Sequence, residues 1–120
     1  MQFVAWHTDD NYIYIAMEFI ELGDLGRYID FQWAEADTKV VASQLLAGLR
    51  FMHEKEITHR DLKPANIFPI LLNDGSLRIK IGDFGVSKRV SVDSSTVLLT
   101  RVGTCEYTAP EVFVERHVAT

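Results

Sequence analysis

Three short segments hold the residues best able to do chemistry together: His59-Arg60-Asp61-Leu62-Lys63-Pro64-Ala65-Asn66, Asp83-Phe84-Gly85 and Ala109-Pro110-Glu111. Asp61 and Asp83 offer carboxylates and Asn66 an amide oxygen, all hard donors able to face a cation. Lys63 sets a cation close after Asp61. Carboxylates near one another cost energy unless something cationic joins them, so a purely structural role for Asp61 and Asp83 is the weaker reading. Other chemistries are excluded. A single cysteine, Cys105, rules out an internal disulfide framework and a Cys-based zinc site, and is expected as a small packed residue. His7, His53 and His117 lack metal-ligand spacing and read as surface residues.

These segments need elements to position them. Residues 12–20 are rich in β-branched and aromatic types and predict a strand, with a partner over residues 3–6 across the Asp9-Asp10-Asn11 turn. Asp24 is placed to cap a short helix reaching Tyr28. Val41, Leu45, Leu49 and Met52 form an apolar stripe that predicts a helix over about residues 38–54. Leu46 and Phe51 widen the stripe, so burial on most sides is expected. The Asp74-Gly75 step between apolar runs predicts a hairpin. In its second strand Leu77, Ile79 and Ile81 face inward and Arg78 and Lys80 face water. Residues 87–104 are polar and read as a long loop.

Composition bounds the class. The 120 residues are 48% hydrophobic, as in a globular chain, and the net charge of −5 gives no pull toward nucleic acid or anionic membrane. No apolar run approaches the roughly 20 residues of a membrane span, and the N-terminus has no signal-peptide pattern. An intracellular place, cytoplasmic or nuclear, is the expectation.

In their order, the three segments resemble the catalytic loop, the magnesium-binding motif and the end of the activation segment of a eukaryotic protein kinase. The resemblance implies an α+β, kinase-like fold. Residues 1–20 would be the last N-lobe strands and the hinge, and residues 21–120 the start of the mainly helical C-lobe. It implies transfer of the γ-phosphoryl group of Mg-ATP to serine or threonine hydroxyls of protein substrates. Asp61 would orient the attacking hydroxyl and accept its proton. Asn66 and Asp83 would hold Mg²⁺. Lys63 would contact the transferring phosphate, and Thr104 would bond the catalytic aspartate; both mark the serine/threonine type. Met17 would be the gatekeeper beside adenine. Glu18 and Ile20 would offer backbone groups to its edge, Phe68 and Leu25 would sandwich it, and Asp24 would reach the ribose. His59 would pack against Phe84. Arg60 implies a phosphate on the activation loop, with Thr100 the matching position, Ser94, Ser95 and Thr96 competing acceptors, and an upstream kinase as partner.

The sequence also departs from the family pattern. No glycine-rich loop, no Val-Ala-Ile-Lys-type lysine and no partner for Glu111 lies within these residues. The interval from Asn66 to Asp83 is longer than usual, and its extra length, with Pro69, reads as a surface insertion in the hairpin. A slice of a two-lobed fold exposes apolar surface, so the isolated polypeptide is expected to be marginally stable. Two rival readings follow: a non-catalytic remnant acting as a binding or decoy module, and another ATP-using fold such as a small-molecule kinase.

Overall fold

A computed structural model describes residues 1–85, 87–89 and 104–110. The expectations on Ser94, Ser95, Thr96, Thr100, Glu111 and His117 lie outside the described residues. Among the described residues the architecture is α+β, as expected: one long helix and three two-stranded antiparallel sheets.

Strand β1 (Phe3–Thr8) pairs with β2 (Ile13–Met17). The turn between them is built by Asp9, whose carboxylate accepts the N–H groups of Asn11 at 2.9 Å and Tyr12 at 2.7 Å. The second strand is shorter than its composition suggests. The Glu18 N–H still donates to the Gln2 carbonyl at 2.9 Å; beyond it the chain leaves the ladder, and the Gly23 N–H closes a turn onto the Ile20 carbonyl at 3.0 Å. Gly23 sits at φ 70°, a left-handed conformation that favours glycine, and the exposed Arg27 side chain lies over the space a Cβ would take. Asp24 stands at the N-cap position of a 3₁₀ turn, Leu25–Tyr28, but its side chain makes no capping bond. It faces Arg27 instead, 3.8 Å away.

Helix α1 (Glu35–Glu54) begins earlier than the stripe predicts. Its first turn is polar, with Glu35 and Asp37 favourably placed at the positive end of the helix dipole. Val41 and Met52 are buried, and Leu45 and Leu49 half-buried. The expectation of burial on most sides is overturned. Leu46 and Phe51 are 66% and 62% exposed, because among the described residues no element covers that flank. The helix ends through Glu56 at φ 57°, whose N–H returns to the His53 carbonyl at 2.9 Å.

The chain then forms β3 (Ile57–Thr58), the segment of residues 59–66, and the hairpin of β4 (Ile67–Leu71) with β5 (Leu77–Ile81). Its register runs from Ile67 opposite Ile81 to Leu71 opposite Leu77, closed by a turn with Gly75 at φ 80°. Pro69 is not in a surface insertion. It is buried within β4 opposite Ile79, whose N–H points away from β4 to the Gln44 Oε1 at 3.0 Å. The proline therefore occupies a pair where the ladder needs no N–H from it. Lys80 is not wholly in water either: it is half-buried and ion-paired to Glu18. Part of the expected long loop forms β6 (Lys88–Arg89), paired with β3.

Candidate active site

The open end of the β4–β5 hairpin brings together residues far apart in sequence. Just beyond the Ile67–Ile81 pair, the Gly82 N–H donates to the Asn66 carbonyl at 2.9 Å. Asn66 and the residue before Asp83 are therefore neighbours. Asn66 also ends a 3₁₀ turn, Pro64–Asn66, where a proline at the first position suits the helical φ. Asp83 follows Gly82 at φ 56°, a left-handed conformation that aspartate tolerates better than most residues. The Gly85 N–H donates back to its Oδ1 at 3.2 Å. Arg60, beside Asp61, is left-handed too, at φ 68°. Left-handed backbone thus occurs at Asp83 itself and immediately before Asp61.

Asp61 is the centre of a polar cluster. Its Oδ1 accepts the Thr104 N–H at 2.8 Å and the Thr104 Oγ1–H at 2.8 Å. Its Oδ2 takes the Lys63 ammonium at 2.9 Å and the Asn66 Nδ2–H at 3.3 Å. Asn66 Nδ2 also donates to the Asp61 carbonyl at 2.8 Å. Lys63 Nζ donates onward to Thr104 Oγ1 at 2.6 Å. Thr104 is held in turn: its carbonyl accepts the Tyr107 N–H at 3.0 Å and the Thr108 hydroxyl at 2.9 Å. The Lys63 hydrogen bond, then those from Thr104, hold the Asp61 carboxyl below its ordinary 3.8, against a partial desolvation that pushes it up. Four expected residues, Asp61, Lys63, Asn66 and Thr104, are therefore in one hydrogen-bonded group.

Asn66 spends its amide nitrogen on Asp61, which turns its oxygen away from that residue. That oxygen and the exposed Asp83 carboxylate are both hard donors. The donor set fits a magnesium ion better than a transition metal, and no cluster of three His, Cys, Asp or Glu side chains able to hold a metal occurs among the described residues.

His59 links the two acidic segments. Its ring is buried, and Nε2 lies 2.9 Å from the Gly82 carbonyl, which calls for a hydrogen on that nitrogen. Nδ1 is then the acceptor facing the Asp61 N–H at 3.4 Å. The expected contact with Phe84 is present, with ring centroids 5.2 Å apart. The Gly82 bond is an addition that the sequence did not reveal.

A cleft of about 470 Å³ lies beside this group and is lined by Met17, Glu18, Ile20, Asp24, Arg27 and Phe68, among others. It gathers all the expected adenine and ribose contacts except Leu25, which lines a neighbouring apolar cavity with Trp33 and Val41. Asp83 does not line the cleft but adjoins its wall. A Cβ on Gly82 would lie 2.8 Å from the Phe68 ring. Cys105, expected as packed, is exposed, because its 3₁₀ turn, Cys105–Tyr107, has no buried residue. His7 and His53 are exposed, as expected.

The chain matches the protein kinase domain model over residues 1–120. It is 40% identical over 115 residues to the serine/threonine-protein kinase cds1 of Schizosaccharomyces pombe, covering 92% of this chain and 23% of that protein. It is 36% identical over 116 residues to mitogen-activated protein kinase kinase kinase 15 of Mus musculus, covering 93% and 8%. It is 36% identical over 111 residues to 3-phosphoinositide-dependent protein kinase 1 of Rattus norvegicus, covering 90% and 19%. The chain spans less than a quarter of the length of each of these relatives.

Proposed function

The chain belongs to the protein kinase domain family, and from that premise we propose that the protein carrying it transfers the γ-phosphoryl group of ATP to serine or threonine hydroxyls of protein substrates. Residues 1–20 act as N-lobe strands and hinge, and residues 21–120 as the start of the C-lobe. The observation that carries this reading is the Asp61 carboxylate bonded at once to Lys63, Thr104 and Asn66.

The geometry suggests how the work is divided. Oδ1 of Asp61 already accepts two hydrogen bonds from Thr104, so a substrate hydroxyl is left Oδ2. There it displaces the long 3.3 Å contact from Asn66. A carboxylate held below its ordinary pKa is ionised at neutral pH but is a weak base. It cannot remove a hydroxyl proton ahead of bond formation. Asp61 therefore orients the hydroxyl and takes its proton late, as suits a loose transition state. Lys63 keeps its ammonium between Asp61 and Thr104, where it can offset negative charge on the phosphoryl group in transit. Asn66 and Asp83 are the residues that would hold Mg²⁺, which supplies charge neutralisation at the phosphate oxygens when bound. Met17, Glu18, Ile20, Phe68 and Asp24 line one cleft, in which the first four would take the adenine and Asp24 the ribose. Thr100, as a phosphorylation site read by Arg60, belongs to the same proposal.

The test is transfer of labelled γ-phosphate to a serine/threonine peptide library, with Asp61→Asn as control. Label on peptide hydroxyls, lost in the variant, supports the reading. Nucleotide binding without transfer overturns it in favour of a binding module, and label only on small molecules overturns it in favour of a different kinase class.

A further inference from the structure

The hairpin that carries Asn66 and Asp83 is a two-stranded ladder, a unit that is marginal without added support. Its β5 edge turns away from β4 and exposes the Leu77 carbonyl and the Ile79 N–H. The Gln44 side chain of α1 meets both. Its Nε2 donates to the Leu77 carbonyl at 2.7 Å, and its Oε1 accepts the Ile79 N–H at 3.0 Å. One side-chain amide thus takes the place of one residue of a parallel strand. One helical turn on, Gly48 lets Ile81 approach until a Cβ would lie 3.0 Å from its Cδ1. The two contacts fix β5 along its own axis. A slip of one residue would turn the wrong groups toward Gln44, and a slip of two would carry Asp83 about 6.6 Å from its place beside Asn66.

We propose that Gln44 is a positioning residue for the metal site: its amide pins the register of β5 and so holds Asp83 at the height of Asn66. The proposal rests on the reading of Asn66 and Asp83 as the metal pair. Gln44→Met keeps the volume and removes both bonds. Gln44→Glu keeps the acceptor for Ile79 and loses the donor to Leu77.

The test is a titration with Mn²⁺ in the presence of ADP, with free Mn²⁺ read by electron paramagnetic resonance, on the protein carrying this chain. Exchange of the Ile79 amide hydrogen is followed alongside. A pinned register predicts that Gln44→Met raises the Mn²⁺ half-saturation about tenfold, because only the fraction in register binds. Gln44→Glu falls between it and the wild type. Ile79 exchange accelerates most in Gln44→Met, where its acceptor is gone. A clamp that merely stabilised the fold would leave the half-saturation unchanged under conditions where a thermal melt shows each variant fully folded. That result overturns the proposal, as does unchanged exchange at Ile79. If Gln44→Met fails to fold, an unchanged half-saturation in Gln44→Glu overturns it equally. Wild-type protein without Mn²⁺ binding refutes the metal-pair reading and the clamp with it. Binding that Gln44 variants leave untouched refutes the clamp alone.

Discussion

Thr104 is the residue whose replacement tests the proposed mechanism most sharply. Thr104→Val keeps the side-chain shape and the backbone N–H bond to Asp61, and removes only the hydroxyl. Two bonds go with it: 2.8 Å to Asp61 Oδ1 and 2.6 Å from Lys63. Hydrogen bonds to charged groups contribute about 1.5–3 kcal/mol each when well buried. Thr104 is only half-buried and one bond to Oδ1 survives, so a total near the low end of a single bond, about 2 kcal/mol, is the reasonable estimate. Spent on orienting Asp61 in the transition state, that is about a 30-fold loss in kcat/KM. Thr104→Ser keeps the hydroxyl and should lose far less. The pH dependence supplies a second readout. Asp61 has a native pKa below its ordinary 3.8, so its contribution to stability is complete above that value and is lost as pH falls through the lower native one. Losing the Thr104 hydroxyl removes one of the causes that lower it. The acid limb of the rate profile should therefore move upward, toward 3.8. The assay is labelled phosphoryl transfer across pH, with a thermal melt to check folding. A folded Thr104→Val protein with wild-type rate and an unmoved acid limb would refute the reasoning.

Asp83→Asn should abolish the magnesium-dependent part of the thermal stabilisation by ATP, which for a site at a hundredfold its Kd amounts to about 2.7 kcal/mol; a shift that survives the change would remove Asp83 from the metal. Gly82→Val should weaken nucleotide binding by pressing on Phe68, read by nucleotide titration, and unchanged affinity would separate Gly82 from the cleft. Met52→Ala should cost about 2–3 kcal/mol in urea melts, against less than about 0.5 for the exposed Arg78→Ala, and equal costs would contradict the burial assigned to each.

The parts legible from the residue pattern alone are those where a residue's role depends on its near neighbours. Gly75 at its turn and the Asp61–Asn66 loop are of this kind, since local backbone geometry fixes both. The Thr104–Asp61 bond, across 43 positions, was legible only through the family resemblance. The unread parts depend on partners distant in sequence. Alternation along β5 sends Lys80 to water, yet it pairs with Glu18, 62 positions away. The stripe on α1 gives the direction of burial but not its width, so Leu46 and Phe51 look like core and are exposed. Gln44 is a polar helical residue like many others, and nothing near it reveals an open strand edge opposite. His59 could be matched to Phe84 by motif, but its bond to the Gly82 carbonyl needed the hairpin closed first.

The long interval between Asn66 and Asp83 follows from the same hairpin. Antiparallel pairing makes the separation of the two ends depend on the register, not on the number of residues between them. Each residue added to β4 together with one added to β5 moves the turn outward and leaves the Asn66–Gly82 pair where it was. A single residue added to one strand would instead slip the ladder and send every side chain beyond it to the opposite face. Extra length is therefore tolerated in matched steps or at the turn, residues 72–76, where the Leu72 N–H still closes onto the Ser76 carbonyl at 2.9 Å. Pro69 fits this pattern because it stands opposite Ile79, whose N–H is already committed to Gln44. The hairpin can lengthen without disturbing the acidic residues at its open end only so long as α1 keeps hold of β5. The spacing tolerance between the two motifs and the clamp on the strand edge are thus two aspects of one constraint.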